Sequence, residues 1–578
     1  MRKPLWATLA VTLLLGAGTI GLAQETSAGA QKPLLTVSFA GYDQLLGNIK
    51  AVGELAGKPE LAKALDGMLV FFTQGKGLAG LDKTRPWGVV VSAGDEEKFP
   101  VQAFVPVTDL KQLMALVPNL ETGEPYAPDA KGVYEVKGKG QTGYIMQKGQ
   151  WAFIVDNRDA LKSLPDDPAA LLGDLTKKYL LGVRASVKNL PTAAREKGIA
   201  AAKGFFQMFT MRQPAESDDQ YAVRRKVSDQ SFEQLVALIK DLDEATYGLG
   251  FDSSAGSLFV EFEMTALAGT QSAQRFALNK EAKTNFAGLL LPGAALSIIT
   301  ARPIDDAEVA QTKSMLGNLR TTAGKDLEAN EDLSQEQRQL AKQLLGDVLD
   351  VLDKTLDNKK IDAGGAVLLD AGTPTVVAAS MLADGTKLDK VLKQLVTEAG
   401  KDQPDIAKLI KLDAESYEGI KFHVATLPVP DEDAAAILGK TLDIVVGIGE
   451  ESIYLGVGKD AMATLKKVID GSKKEPGKAV PPVQASLSGV SIAKFVAQVA
   501  PPEEVKAIAG KVAELLSKSP GKDHVTVVAK AIPNGVNSRL TLEEGILKTI
   551  MAFAAPGAGP GAGPGPSPKA KKSDNGGF

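Results

Sequence analysis

Glu261 and Glu263 alternate with Val260, Phe262 and Met264. On a strand, the two-residue period puts both carboxylates on one face, roughly 7 Å apart. That separation falls in the general range of the carboxyl pairs that hydrolyse glycosides. The same alternation describes the solvated face of an edge or outer strand, and this plainer reading is the expected one. The chain has two histidines, His423 and His524. His423 shares a face with Lys421, opposite Ile420, Phe422 and Val424, and His524 opens a strand-like run beside Asp523. No G-x-S-x-G elbow accompanies either one, so both are expected to be solvated or turn residues.

Gly75-Lys-Gly-Leu-Ala-Gly80 and Gly138-Lys-Gly-Gln-Thr-Gly143 match the dinucleotide fingerprint by letter. Neither follows a strand and opens a helix, as amide contact with a pyrophosphate requires, so both read as turns. Gly439-Lys440-Thr441 has Ala434 where a phosphate loop needs its first glycine, and no phosphate nest is expected. The clusters Asp431-Glu-Asp433 and Asp241-Leu-Asp243-Glu244 lack the ligand alternation of a calcium loop. One apolar patch stands out: Phe205, Phe206, Met208, Phe209 and Met211. Its aromatic and thioether groups suit either helix–sheet packing or an apolar groove for a lipid or peptide. As a candidate ligand site it ranks above the smaller pair Phe71-Phe72.

Composition removes other chemistries. Among 578 residues there is no Cys, so thiolate nucleophiles, disulfides, iron–sulfur clusters and Cys-based zinc sites are excluded. A net charge of −4 gives no basic field for nucleic acid. No cofactor and no metal is expected, and carboxylate-based hydrolysis is the one catalytic equipment left.

The elements that would position these groups follow from the ends inward. Arg2 and Lys3 precede an uncharged run from Leu5 to Leu22, and Gly21-Leu22-Ala23 supplies small residues for a cut after Ala23. This predicts a signal peptide over 1–23 and an extracytoplasmic protein, with an N-terminal membrane anchor as the alternative. Residues 554–578 carry a Pro/Gly-rich run and then Lys569, Lys571 and Lys572. They are expected to be a disordered tail able at most to make a peripheral contact with an acidic membrane surface.

Between the ends, one pattern occurs twice. Trp87-Gly-Val-Val-Val-Ser and Phe99-Pro-Val-Gln-Ala-Phe-Val, followed by a helix start capped by Thr108 or Asp109, return as Gly365-Ala-Val-Leu-Leu-Asp and Thr375-Val-Val-Ala-Ala-Ser-Met, followed by one at Asp384. The offset is about 278 residues. Tyr144 to Val155 returns as Ile444 to Leu455, Val183-Arg-Ala-Ser as Val483-Gln-Ala-Ser, and each unit closes on a hairpin. The order predicts two tandem copies, 32–268 and 290–552. Alternating strands with short turns predict an α+β class, each copy being a curved, mainly antiparallel sheet with helices packed on one face. Leu340, Leu344, Leu345, Val348, Leu349 and Leu352 predict one of those helices.

Pro86-Trp-Gly-Val-Val and Phe99-Pro-Val-Gln-Ala-Phe-Val-Pro-Val, in a Cys-free chain with an export signal, resemble uncharacterised secreted proteins of planctomycete-type bacteria. The resemblance covers mostly the first copy. It implies a location and no activity. The expected function is therefore a non-catalytic envelope protein that binds a lipid, a peptide or an envelope protein. The alternatives are a carboxylate hydrolase and a structural or adhesion protein at the cell surface. A deep pocket with buried carboxylates favours the enzyme, and a continuous apolar surface fit for an acyl chain favours a carrier.

Overall fold

The computed structural model describes residues 32–553, apart from 56, 94–98, 118–122, 139–140, 213–215 and 370–372. The expected signal peptide and tail lie outside the described residues. In the first half the strands are β1 (Pro33–Phe39), β2 (Trp87–Ser92), β3 (Val101–Pro106), β4 (Tyr134–Gly138), β5 (Gln141–Lys148), β6 (Trp151–Val155), β7 (Leu181–Ser186), β8 (Leu242–Asp252) and β9 (Ser257–Ala266). A two-residue strand β10 (Lys283–Thr284) pairs with its like, β18 (Lys478–Ala479). The second half has β11 (Leu296–Pro303), β12 (Lys360–Leu368), β13 (Thr375–Met381), β14 (Ile410–Tyr417), β15 (Ile420–Pro428), β16 (Thr441–Ile448), β17 (Ser452–Val457), β19 (Val483–Ser488), β20 (His524–Ile532) and β21 (Gly535–Leu542).

All but the short pair join one 19-stranded sheet, antiparallel throughout. Its first half runs in space β4-β5-β6-β3-β2-β1-β7-β8-β9. β9 then pairs with β21, and the second half runs β21-β20-β19-β11-β12-β13-β17-β16-β15-β14. The strand order on the two sides of the β9–β21 seam is the same, apart from the extra outer strand β14.

The helices interrupt the two halves at matching places. Pairs α1 (Tyr42–Leu55) with α2 (Leu61–Phe72), and α8 (Asp306–Ala329) with α9 (Gln335–Leu356), follow β1 and β11. Pairs α5 (Thr192–Phe209) with α6 (Asp218–Asp241), and α14 (Gly489–Val499) with α15 (Glu503–Ser517), precede β8 and β20. Shorter helices are α3 (Leu110–Met114), α4 (Leu175–Lys178), α7 (Gln271–Leu278), α10 (Gly385–Asp402), α11 (Pro404–Ala407), α12 (Glu432–Leu438), α13 (Ala461–Lys474) and α16 (Glu544–Phe553). α9 forms where its leucines recur, entered through a capping box of Ser334 and Gln337. Its Leu344 and Leu349 are buried, and Leu352 faces solvent. Among the described residues, no helix is long and apolar enough to cross a membrane.

Helices pack on both faces of the sheet, not on one as the strand alternation suggested. One face is filled. In the first half Phe104, Phe153 and Val90 pack under the 3-10 turns at Arg158–Ser163 and Pro168–Leu172. In the second half Leu465, Val468 and Ile469 of α13 pack on Val377, Tyr454, Val445 and Phe422. The opposite face is covered at its two ends. There α3 lays Leu110 and Met114 on Tyr134, Val136 and Ala152, and α10 sits over β15.

Candidate functional site

Strands β8 and β9 invert the usual apolar-in, polar-out arrangement. Glu261 is only 5% exposed, whereas its strand neighbour Phe262 is 42% exposed and the cross-strand partner Tyr247 is 46% exposed. Glu261 lies on the filled face. It accepts hydrogen bonds from Tyr179 Oη (2.9 Å), Asn537 Nδ2 (2.8 Å) and Arg539 Nε (2.7 Å). Burial alone would raise its pKa, but these three donors outweigh that and hold it below the ordinary glutamate value. Arg539 also covers the Phe259 ring at 4.2 Å. Burial, and then the carboxylate, push the Tyr179 hydroxyl upward.

The expected solvated carboxyl pair is therefore corrected. β9 is an inner strand, and Glu261 is saturated by donors from both halves. A general acid needs a raised pKa, and Glu261 has the reverse.

Because paired residues share a face, the register traces the other side of the sheet strand by strand. From β2 to β17 that side carries Val89, Val37, Val183, Tyr247, Phe262, Leu540, Val527, Ala485, Ile298, Gly365, Ala378 and Leu455. Their neighbours two residues along are Leu35, Val260, Met264, Leu487, Leu296, Val367 and Val376. Among the described strand residues the hydroxyls on this side are those of Tyr247, Ser538, Thr300 and Ser380, and a charged side chain, Arg302, stands at the end of β11 paired with Glu308. Tyr247, Phe262, Leu540, Val527, Leu487, Leu296, Ile298, Val376 and Leu455 are all exposed. Twelve adjacent strands thus present one open apolar face. Its width is about 53 Å at the strand spacing of about 4.8 Å. Exposed apolar surface of this extent makes the face a candidate binding site.

The aromatic and thioether patch does not join this face. Phe205, Met208 and Met211 lie on α5 and just beyond it, more than half exposed, and Phe206 packs on Phe232 of α6 with ring centroids 5.3 Å apart. The side chains of Phe209 and Phe72 lie outside the described residues. The helix pair that carries these residues is inserted between β7 and β8 and holds them off the strands. A separate apolar cavity of about 360 Å³ lies between α1 and α2, lined by Leu45, Leu46, Ile49, Leu65, Met68 and Leu69.

No glycine-rich match follows a strand and opens a helix among the described residues. Gly75, Gly77 and Gly80 follow α2 with φ of 86°, 57° and 85°. In the second match Gly138 ends β4 and Gly143 lies within β5, with 139–140 outside the described residues. Gly439 ends α12 with φ 88°.

His423 is not solvated: it is 3% exposed, beneath α10. A bulge breaks the β14–β15 register between Lys411 and Glu415, and Asp413 there has φ 51°. The Asp413 N–H donates to His423 Nδ1 at 3.1 Å, so the neutral ring carries its proton on Nε2. Nε2 lies 3.0 Å from Asp389 Oδ1, though out of hydrogen-bond alignment. Asp389, Asp413 and His423 offer ligand atoms within 4.8 Å of one another. Lys393 Nζ already takes the cation's place, 3.0 Å from Asp389 Oδ2 and 2.8 Å from Asp413 Oδ2, with Lys421 at 3.4 Å from Asp389. A nitrogen that carries its proton cannot bind a metal, so the cluster reads as a charge-balanced clamp fixing α10 to the open face. Sequence spacing could not reveal it, because its members come from three elements.

Burial lowers the His423 pKa and outweighs the Asp389 and Asp413 charges, which raise it. Below about pH 6.5 the unfolded chain takes up a proton at this ring that the native state refuses. Stability is therefore full above pH 6.5 and falls as pH drops from there toward the lowered native value. Urea midpoints at pH 7.0 and 5.5 should show this fall, and His423→Gln should flatten it. An equal fall in the variant would reject the assignment. His524 is partly exposed, with Nδ1 3.3 Å from Glu543 Oε2.

No family model, curated protein or solved structure matches this chain.

Proposed function

We propose that the protein is a non-catalytic, exported carrier that holds the acyl chains of membrane lipids on the open face of its sheet. One observation supports this above the others: twelve strands expose an apolar side, its Arg302 at the end of β11 being paired with Glu308, while burying a carboxylate at the seam. Water contact with so many valine, leucine and aromatic side chains costs about 25 cal/mol per Å², and an acyl chain relieves that cost without needing any polar partner. A second copy is a poorer occupant. Helices α3 and α10 stand on the same side at the two ends, and each is about 10 Å thick. Two such faces brought together would be held about 20 Å apart, twice the distance at which sheets pack. The carboxylates that a hydrolase would use are engaged by Arg539, Lys393 and Lys421, which weighs against that alternative.

The same reading includes export by a signal peptide over 1–23, a tail over 554–578, and descent of 32–268 and 290–552 from one unit. The matching strand order and matching helix insertions support the duplication. So does the seam: at an offset of 278, Glu261 corresponds to Arg539, and these two are direct partners in the β9–β21 ladder. Equivalent strands pairing about equivalent residues are what a local two-fold axis produces.

Native mass spectrometry of protein taken from its own envelope fraction tests the carrier. Adducts of lipid mass, lost on organic extraction, are expected. Repeated recovery of bare chain, or of a lipid-free dimer, would overturn it.

A further inference from the structure

We infer that the far end of the α5–α6 helix pair is a membrane-docking end, which inserts Phe205, Met208 and Met211 into the surface of an anionic phospholipid bilayer. The inference does not rest on the carrier reading: a chain with nothing on its open face would dock in the same way.

α5 has 18 residues, so at about 1.5 Å per residue its far end stands roughly 27 Å from its start. The start is tied down, because Arg195 donates to the carbonyls of Val187 and Lys240. At the far end Phe205, Met208 and Met211 recur every third residue, and residues so spaced share one side of a helix. They are 62%, 63% and 69% exposed, while Phe206 turns inward onto Phe232. The return of the chain is held without them. Arg224 grips both carboxylate oxygens of Glu216 at 2.7 Å, and Arg212 reaches Asp218 at 2.6 Å and the Glu216 carbonyl at 2.8 Å. Folding thus uses the polar groups of this end and leaves its large apolar ones in water.

Two properties select a bilayer as the occupant. The first is charge. Residues 203–226 carry five basic side chains, Lys203, Arg212, Arg224, Arg225 and Lys226, against the three acids Glu216, Asp218 and Asp219, a net +2 in a chain of net −4. Lys203, Arg225 and Lys226 are exposed and stand within about 10 to 12 Å of the helix ends, close to one Debye length at 0.1 M salt. The turns of the other helix pairs carry acids and no aromatic or thioether side chain: Lys58-Pro-Glu60 between α1 and α2, Asn330-Glu-Asp332 between α8 and α9, and Pro501-Pro-Glu-Glu504 between α14 and α15. The second is area. A buried aromatic side chain covers about 150–250 Å², so three partly buried side chains fall short of the roughly 800 Å² per partner of a standard protein interface. A bilayer asks for less, because a few inserted apolar groups and the basic residues beside them act together.

The absence of Cys makes the test direct. Met208→Cys and, separately, Val505→Cys at the turn of α14 and α15 are labelled with an environment-sensitive fluorophore on the full exported chain. Vesicles of dioleoyl phosphatidylcholine and dioleoyl phosphatidylglycerol in equal parts are then added. The label at 208 should shift to the blue and be quenched by nitroxide lipids, and the label at 505 should do neither. In sedimentation with the same vesicles, Phe205→Ser with Met208→Ser and Met211→Ser should lower binding at least tenfold. Lys203→Gln and Lys226→Gln should each lower it about fivefold. Ile298→Lys with Val376→Lys, on the open face, should leave it unchanged. Circular dichroism and the urea midpoint report folding, and should the serine variant melt early, the two labels decide alone. A label at 208 that stays aqueous on vesicle-bound protein, or binding that survives the serine changes and is lost with the open-face lysines, would overturn the docking end and leave the carrier standing. Equal binding to vesicles of phosphatidylcholine alone would overturn the anionic partner.

Discussion

Arg539→Met should lower the unfolding free energy by about 3 kcal/mol at neutral pH. Glu261 is buried and ionised, and removing its guanidinium partner leaves a charge in a low-dielectric site. Breaking a buried pair from one side costs about 3–5 kcal/mol. The lower figure applies because Tyr179 and Asn537 still donate to the carboxylate. Glu261→Gln should cost less, about 1 kcal/mol, because the Arg539 side chain is 47% exposed and can turn to water. The pH dependence gives a second reading. With its native pKa depressed, Glu261 contributes stability that is present above its unfolded value, about 4.3, and lost as pH falls through the native value. The gap between wild type and Arg539→Met should therefore narrow in acid. Urea titrations between pH 3 and 7 measure it. Equal costs for the two substitutions, or a gap independent of pH, would show that the seam is held by strand pairing alone.

Gly288→Ala should be as damaging, about 3–5 kcal/mol, at the upper end for overpacking. The 3-10 turn Ala287–Leu289 crosses α13 there with glycine against glycine. A Cβ on Gly288 would stand 1.9 Å from the Val468 carbonyl oxygen and 2.8 Å from the Ser472 nitrogen, and one on Gly471 would meet the Gly288 Cα at 2.9 Å. The Gly288 N–H also donates to Ser472 Oγ at 3.0 Å. The obstacle is backbone, so no side chain can rotate away. Helix α13 must lift, and with it Leu465, Val468 and Ile469 leave the second-half core. Gly510→Ala is the control. It lies inside α15 with nothing within 4 Å of the added atom, and it should stabilise by about 0.5–1 kcal/mol. A mild Gly288→Ala, within 1 kcal/mol of wild type, would mean that the crossing is looser than the distances indicate.

Much of the architecture could be read from the chain. The hairpins at β2–β3, β5–β6, β12–β13 and β16–β17 form where alternation and turn residues placed them, and Asp109 and Asp384 cap α3 and α10 as expected. Strand-level reading works because the pleat and the cap are local: each depends on residues a few positions apart. The candidate site was not legible in the same way. The Phe205–Met211 patch drew notice by composition, yet it rides on a helix pair away from the sheet face. The open face went unnoticed because its residues look like any half-buried strand, and no strand records whether a helix will cover its apolar side.

The sequence by itself determined which side-chain chemistries are present and which residues alternate. Those properties belong to residue types and short spacings, and they survive without coordinates. Only the tertiary structure decided which side of each strand faces water. At β9 a carboxylate became the buried group and a phenylalanine the exposed one, because Tyr179, Asn537 and Arg539, distant in the chain, converge on Glu261 and satisfy it. Likewise His423 became a core residue only when α10 brought Asp389 and Lys393 over it. Burial is a property of the partners that arrive across the sheet, and alternation specifies two faces without saying which of them the rest of the chain will cover.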